Sequence, residues 1–340
     1  MKIAIDCRYY GKSGIGRVLT GLLDNLSYDM HEFFLVGSNK LKDIYPKAII
    51  LENNTDPFSK SGILKINKEI NSLCDLIIIP NFIIPYGIKI PVYSFIHDLI
   101  FLDMKETTTK GFVDYNIKKH LFKRCFKKSK KIFCVSNFTL DRCKYYFPKY
   151  SAKLVLSYIG LSKEIIEYGN KNINVEKENN IIFVGNVKPH KGISTLLEVF
   201  SKLDNTNLKL KIIGEKENFL VGINYDESKY QNVVFTGRLS DDELLGEISK
   251  AKYLVQPSLY EGFGIPPLEA IYLGTIPVIR DIPVFEEIYN GLSVIYFKTN
   301  EELEDILSSN KQITLSSREE IMTRYNYKKL AGIVLTTVEE

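Results

Sequence analysis

No stretch of this chain holds the roughly 20 consecutive apolar residues that a membrane-crossing helix needs. Cysteine is sparse: Cys7, Cys74, Cys125, Cys134 and Cys143 make an odd count of five with no CxxC pair. That argues against a disulfide framework or a zinc site and for reduced thiols. Histidine occurs only four times, which speaks against a His-rich metal centre. No G-x-G-x-x-G follows either early strand pattern, which disfavours a nicotinamide-dependent oxidoreductase. A P-loop is missing too: GKS at 11–13 resembles its end, but the glycine it requires would fall at Asp6. The opening MKIAIDCRYY alternates like a strand and breaks at Asp6, unlike a signal peptide. These absences read together as a soluble, cytoplasmic protein.

What is present is a globular balance of 45% hydrophobic and 25% charged residues. The length suits two domains better than one compact core. Net charge is only +4, yet eight Lys or Arg and no acid lie between Lys118 and Lys131, so the rest of the chain stands at −4. Apolar β-rich runs alternate with helical patterns. KIAID (2–6), EFFLVG (32–37), DLIIIP (75–80), VYSFIHD (92–98), KIFCVS (131–136), KLVLSY (153–158), IIFVGN (181–186), LKLKIIG (208–214), NVVFTG (232–237), YLVQPS (253–258) and IPVIRD (276–281) read as strands. Helices are predicted around 16–27, 110–130, 137–147, 192–203, 241–250, 266–273, 301–308 and 317–337. The alternation predicts parallel sheets covered on both faces. The polar, Asn- and Lys-rich segment 162–180 lacks strong periodicity and marks a boundary. The fold class is therefore α/β, with two doubly wound Rossmann-like domains and a ligand expected in a cleft between them, beyond the strand ends.

Four motifs carry chemistry. DCRYYGKSGIGR (6–17) joins a strand to a helix, either as a flexible turn or as backbone amides facing a phosphate or sugar. SFIHD sets His97 and Asp98 at a strand end, where an open sheet presents its ligand groups. In GNVKPHKG (185–192), Lys188 and Lys191 flank His190 before a helix, an arrangement suited to a diphosphate; ordinary surface lysines are the plainer alternative. YEGFGIPPLE (260–269) cannot be one helix, because Gly262, Gly264 and Pro266–Pro267 interrupt it. The helix is expected to start at 266–267, leaving Glu261 on the loop and Glu269 on the helix. Carboxylates suit hydroxyls, as on a ribose diol, so this spacing fits a ligand with hydroxyls at both ends and phosphate between: a nucleotide-sugar. In the basic stretch, Val113, Ile117, Leu121 and Cys125 fall at helical spacing and are expected to bury one face. The cations, with Phe122 and Phe126 among them, are then free to meet either solvent or an anionic membrane surface. A nucleic-acid face is not indicated, for want of stacking aromatics or a recognition motif.

Together with VSNFTLDRCKYYF, VVFTGRLSDDEL and RYNYKKLAGIVL, these motifs make the chain resemble a family 4 retaining glycosyltransferase of the GT-B fold along nearly its whole length. The E-x7-E pattern from Glu261 to Glu269 and GNVKPHK, which is similar to a mannosyltransferase-rich branch, carry the resemblance. It implies an acceptor-binding domain over 1–160, a nucleotide-sugar-binding domain over 161–318, and a C-terminal helix over 319–340 returning to the first. It further implies that Glu261 contacts donor-sugar hydroxyls, and that Gly262, Phe263, Gly264 and Ile265 hold sugar and diphosphate through their backbone. Glu269 would take the ribose, Lys191 the diphosphate, and His97 the donor sugar, with Gly14 and Gly16 near the phosphates and acceptor. Asn186 stands where many members have Arg, and Lys188 would supply the missing charge. With no D-x-D at a strand end, neither metal nor cofactor is expected. The implied activity is hexosyl transfer, mannose from GDP-mannose, to a glycan or polyprenyl-linked acceptor of surface polysaccharide, on the inner face of the cytoplasmic membrane. The alternatives are a UDP- or dTDP-sugar donor and a non-catalytic GT-B partner subunit.

Overall fold

Strands paired on both sides and covered on both faces need uninterrupted apolar side chains, and the Ile-, Val- and Phe-rich runs supply them. The computed structural model describes residues 1–64, 66–105, 111–203, 207–215, 232–309 and 311–340. They cluster into two units, Met1–Ser162 with Tyr325–Glu340, and Lys163–Arg324.

The first unit holds β1 (Lys2–Asp6), β2 (Glu32–Gly37), β3 (Ile49–Glu52), β4 (Leu76–Ile79), β5 (Val92–Ile96), β6 (Ser129–Cys134) and β7 (Leu154–Leu156). Their order across the sheet is β3-β2-β1-β4-β5-β6-β7, with every pairing parallel. In the second unit, β8 (Asn180–Val184), β9 (Lys209–Ile213), β10 (Val233–Gly237), β11 (Tyr253–Gln256), β12 (Ile276–Arg280) and β13 (Ile295–Phe297) run β10-β9-β8-β11-β12-β13, again all parallel. Both are Rossmann orders. Strand order reverses between β1 and β4 in one sheet and between β8 and β11 in the other, and open sheets bind ligands beyond the carboxyl ends at such points. Ile77, Ile78 and Ile79 are fully buried in β4, and each contributes about 1.5–3 kcal/mol by leaving water.

Two strands escape sequence reading, β3 and β13, both at sheet edges. β3 (IILE) and β13 (IYF) are only four and three residues long, too short to show a period of their own, whereas the edge strands β7 and β10 lie in longer apolar runs that are read. Several short helices were likewise unmarked by periodicity, among them Lys60–Leu64, Ile70–Leu73 and Ile100–Asp103. The boundary segment 162–180 is not featureless: its first half is the helix Lys163–Lys171, which buries Ile165 and Gly169 on one side. The helix read over 317–337 is two helices, Arg318–Arg324 and Tyr327–Glu339. Asn326 breaks it by turning extended and accepting from the Lys329 amide, an N-cap that restarts the helix. The pieces fall in different units, Arg318–Arg324 in the second and Tyr327–Glu339 in the first. The Lys110 start of the helix read over 110–130 lies outside the described residues, and the described helix is Phe112–Lys128.

The last helix lies tightly on the first. A Cβ at Gly21, on the helix Ser13–Leu23, would fall 2.4 Å from the Tyr327 ring. Gly21→Ala is therefore expected to lower stability in urea by about 1–3 kcal/mol through overpacking. Gly14→Ala, whose Cβ would meet nothing within 4 Å, is expected to leave the midpoint unchanged.

Candidate functional site

In the second unit the site is built from the loops that leave β8 and β11 on either side of the order reversal. β8 runs into Gly185 and half-buried Asn186, then exposed Lys188, a tight turn over Pro189–Lys191, and the helix Ile193–Lys202. Gly192 takes a left-handed φ of +70°, and a Cβ there would strike the Pro257 carbonyl. The Leu259 amide also donates to the His190 carbonyl at 2.8 Å. The two loops are therefore pressed together by backbone contacts.

That contact joins two of the predicted residues. Lys191 Nζ donates to Glu261 Oε1 at 2.6 Å, with the side chains only 21% and 11% exposed. Two groups that sequence reasoning missed complete the cluster. Ser258 Oγ donates to the same Oε1 at 2.8 Å, and Gln256 Nε2 donates to Ser258 Oγ at 2.8 Å and to Glu261 Oε1 at 3.3 Å. Their one sequence signal is a polar amide closing the otherwise apolar strand YLVQ. Beyond Glu261, Gly262 and Phe263 are buried, and Gly264 adopts φ +82° as it starts the helix Ile265–Tyr272. That helix begins a residue earlier than predicted, with both prolines in its first turn, where no amide hydrogen is missed. Tyr289 Oη donates to the Gly264 carbonyl, holding the turn. Glu269 lies on the helix, 1% exposed.

His190, between Lys188 and Lys191, is buried, and its pKa is pushed down to about 4, chiefly by burial and then by Lys191. The unfolded chain takes up a proton near pH 6.5 that the folded chain refuses. Stability from this group is thus present above pH 6.5 and is lost as pH falls toward 4, by about 2 kcal/mol at pH 5. His190→Gln is expected to remove that part of the decline between pH 7.5 and 5, read as the difference between variant and wild-type denaturation midpoints.

In the first unit the predicted residues gather at the carboxyl ends of β1 and β5. Asp6 and Arg8 form a buried bidentate pair at 2.8 and 2.7 Å, and Arg8 also donates to the Gly62 carbonyl and Thr55. This anchors the turn into the helix Ser13–Leu23. Ser13 is in the left-handed region at φ +56° and Gly14 is exposed. Gly16 is buried, and a Cβ there would lie 2.6 Å from the Tyr9 carbonyl. Close packing alone thus accounts for Gly16. His97 follows β5; Nε2 bonds the Pro80 carbonyl at 2.7 Å, so it carries the hydrogen and Nδ1 the lone pair. Burial lowers the His97 pKa and keeps the ring neutral.

The basic helix departs from its sequence reading. Val113 and Ile117 are 70% and 55% exposed, whereas Phe122 and Phe126 are fully buried with Leu121 and Cys125. The buried face is thus confined to the second half, where Phe122 stacks on Phe82 and Phe126 on Phe147. Lys118 is tied to Asp114 and lies over the Phe101 ring. Phe112, Val113, Ile117, Lys119, Lys123, Lys127 and Lys128 share the exposed side. The five cysteines are buried thiols. Among the described residues no helix is long and apolar enough to cross a membrane.

The fold is of the GT-B class, two Rossmann-like α/β domains. Residues 165–328 match the family model described as Glycosyl transferases group 1. The chain is similar to the O-antigen chain mannosyltransferase RfbU of Salmonella typhimurium, 28% identical over 220 residues, covering 63% of this chain and 61% of that protein. It is also similar to the serotype-specific mannosyltransferase WbdA of Escherichia coli, 28% identical over 211 residues, or 56% of this chain and 25% of that one. The chain thus spans about three-fifths of the first relative's length and a quarter of the second's. Among solved structures, Anabaena Alr3699/HepE in complex with UDP and glucose superposes with TM-score 0.71 at 14% identity, covering 100% of this chain and 99% of that one.

Proposed function

We propose that this chain is a retaining glycosyltransferase that moves a hexose, mannose from GDP-mannose as first choice, onto a hydroxyl of a glycan or polyprenyl-linked acceptor of surface polysaccharide. The observation that carries the reading is the Lys191–Glu261 pair at the β8–β11 order reversal, beside the helix that starts after Gly264. A cation there meets the diphosphate, and the helix N-terminal amides add uncharged donors. The carboxylate of Glu261 takes sugar hydroxyls, Glu269 takes the ribose, and backbone of Gly262, Phe263, Gly264 and Ile265 lines the space between. Asn186 and Lys188 extend the phosphate side.

In the reaction the bond from the anomeric carbon to the diphosphate oxygen breaks, and a bond to the acceptor oxygen forms on the same face. The acceptor proton passes to the departing diphosphate, so no side chain need act as nucleophile. Charge on the leaving group falls to Lys191 and the amides, and the reaction is proposed to run without metal. The mannosyltransferase relatives support mannose as the donor sugar; the HepE complex, which holds UDP and glucose, supports a UDP-sugar as the second reading.

Thermal stabilisation by GDP, GDP-mannose, UDP and UDP-glucose, with and without chelator, tests this. A cognate nucleotide at about 100 times its dissociation constant is expected to add roughly 2.7 kcal/mol, and Lys191→Ala to weaken it at least about tenfold. Stabilisation by UDP compounds alone moves the donor to the second reading. No binding by any of them makes a non-catalytic partner subunit the better reading, and activity lost to chelator and regained with magnesium or manganese overturns metal independence.

The same reading places the enzyme at an anionic membrane, through the exposed side of the helix Phe112–Lys128 rather than through Phe122 and Phe126. Its four exposed lysines, Lys119, Lys123, Lys127 and Lys128, contribute about 1 kcal/mol each at such a surface. Co-sedimentation with vesicles rich in phosphatidylglycerol is expected, to be abolished by molar salt and by K119E/K123E/K127E. Equal binding to neutral vesicles, or none to anionic ones, overturns it.

A further inference from the structure

We infer that Gln256 and Ser258 are positioning residues for Glu261, setting which carboxylate oxygen meets the donor sugar and holding it when Lys191 turns to phosphate. The inference rests on the glycosyltransferase reading above and assigns to that site two residues outside the E-x7-E pattern. Three donors converge on one oxygen: Lys191 Nζ at 2.6 Å, Ser258 Oγ at 2.8 Å and Gln256 Nε2 at 3.3 Å all reach Glu261 Oε1. Two lone pairs are then fully used, and the ligand-directed oxygen of Glu261 is Oε2.

The direction of each bond in this chain is dictated. Ser258 Oγ accepts from Gln256 Nε2, so its single hydrogen is directed to the carboxylate. The Gln256 amide cannot be reversed, because its oxygen would then face the carboxylate oxygen. Held this way, Gln256, 1% exposed, leaves its own Oε1 buried and without a hydrogen-bond partner among the described residues. A buried acceptor left unmade carries a desolvation cost. The polar side-chain contacts that hold Gln256 among the described residues are the two its Nε2 donates, to Ser258 and Glu261.

The physical need arises from Lys191 serving two anions. A diphosphate competes for its ammonium with Glu261, whose side chain is 11% exposed and whose one charged partner among the described residues is Lys191. Ser258 and Gln256 are uncharged and have no attraction to phosphate comparable to that of the ammonium. They keep Oε1 satisfied throughout, so the carboxylate stays aimed. Their contribution accordingly belongs to recognition of the sugar and not of the nucleotide.

The test compares dissociation constants for a bare nucleoside diphosphate and its sugar nucleotide, by calorimetry on the full chain, in wild type, Ser258→Ala and Gln256→Met. The expected result is a roughly five- to tenfold loss in sugar-nucleotide affinity, with bare-nucleotide affinity unchanged within about twofold. The unchanged term also reports a folded site. If Ser258→Ala loses bare-nucleotide binding, Ser258→Cys, which keeps the volume and donates weakly, reads the same ratio. Variants that keep the wild-type ratio, or lose both affinities equally, overturn the positioning role while leaving the glycosyltransferase reading standing. A wild type that binds neither GDP, UDP nor their sugar nucleotides removes that reading and this assignment together.

Discussion

A parallel strand covered on both faces has no position along its length where a charge can stay hydrated. Burying an unpaired charge is prohibitive, so polar groups are driven to the strand ends. That constraint organises both units. β4, β5 and β8 are buried throughout, and the first groups with chemistry appear as these strands stop: Asn81 after β4, His97 after β5, the lysine turn after β8. β11 ends one residue into polarity, at Gln256, and Ser258 and Glu261 follow in the same loop. The fold therefore does not merely carry a site; its sheets concentrate reactive side chains at their carboxyl ends.

Two ion pairs at such ends illustrate different outcomes. Asp6 and Arg8 face each other in a bidentate fork, both nearly sealed from solvent, with Arg8's remaining donors spent on Thr55 and Gly62. A pair so completely satisfied shapes the loop into the helix Ser13–Leu23 and has little left for a ligand. Lys191 and Glu261 meet through one oxygen only, and both remain partly open. A pair with unused valences can exchange partners, which the binding role proposed for Lys191 and Glu261 requires. In such an exchange the neutral donors Ser258 and Gln256 would still hold the Glu261 oxygen.

The helix Phe112–Lys128 shows that composition and orientation are separate facts. Its cations are evident from the sequence, but its apolar residues divide: Leu121, Phe122, Cys125 and Phe126 pack into the core, while Phe112, Val113 and Ile117 stay outside. Spacing of three and four admits either the 113–117–121–125 stripe or the one beginning at Leu121. Only the neighbours Phe82 and Phe147, which receive Phe122 and Phe126, settle which stripe is buried.

Local chemistry was enough to determine the central strands, most of the longer helices, and the separation of Glu261 on a loop from Glu269 on a helix. Continuous apolar runs, glycines and first-turn prolines act within a few residues of themselves and are visible in one dimension. Strands β3 and β13 were hidden because runs of four and three residues are too short to show a period, not because they lack apolar residues. The break at Asn326 was hidden because a short polar cap interrupts an otherwise continuous helical pattern. The cluster around Glu261 was decided by tertiary structure alone. Lys191 stands 70 residues from Glu261, and it reaches the carboxylate only because β8 and β11 lie side by side and Gly192 lets the two loops touch. Sequence carries the residue types, but which charges share an oxygen is set by strand order.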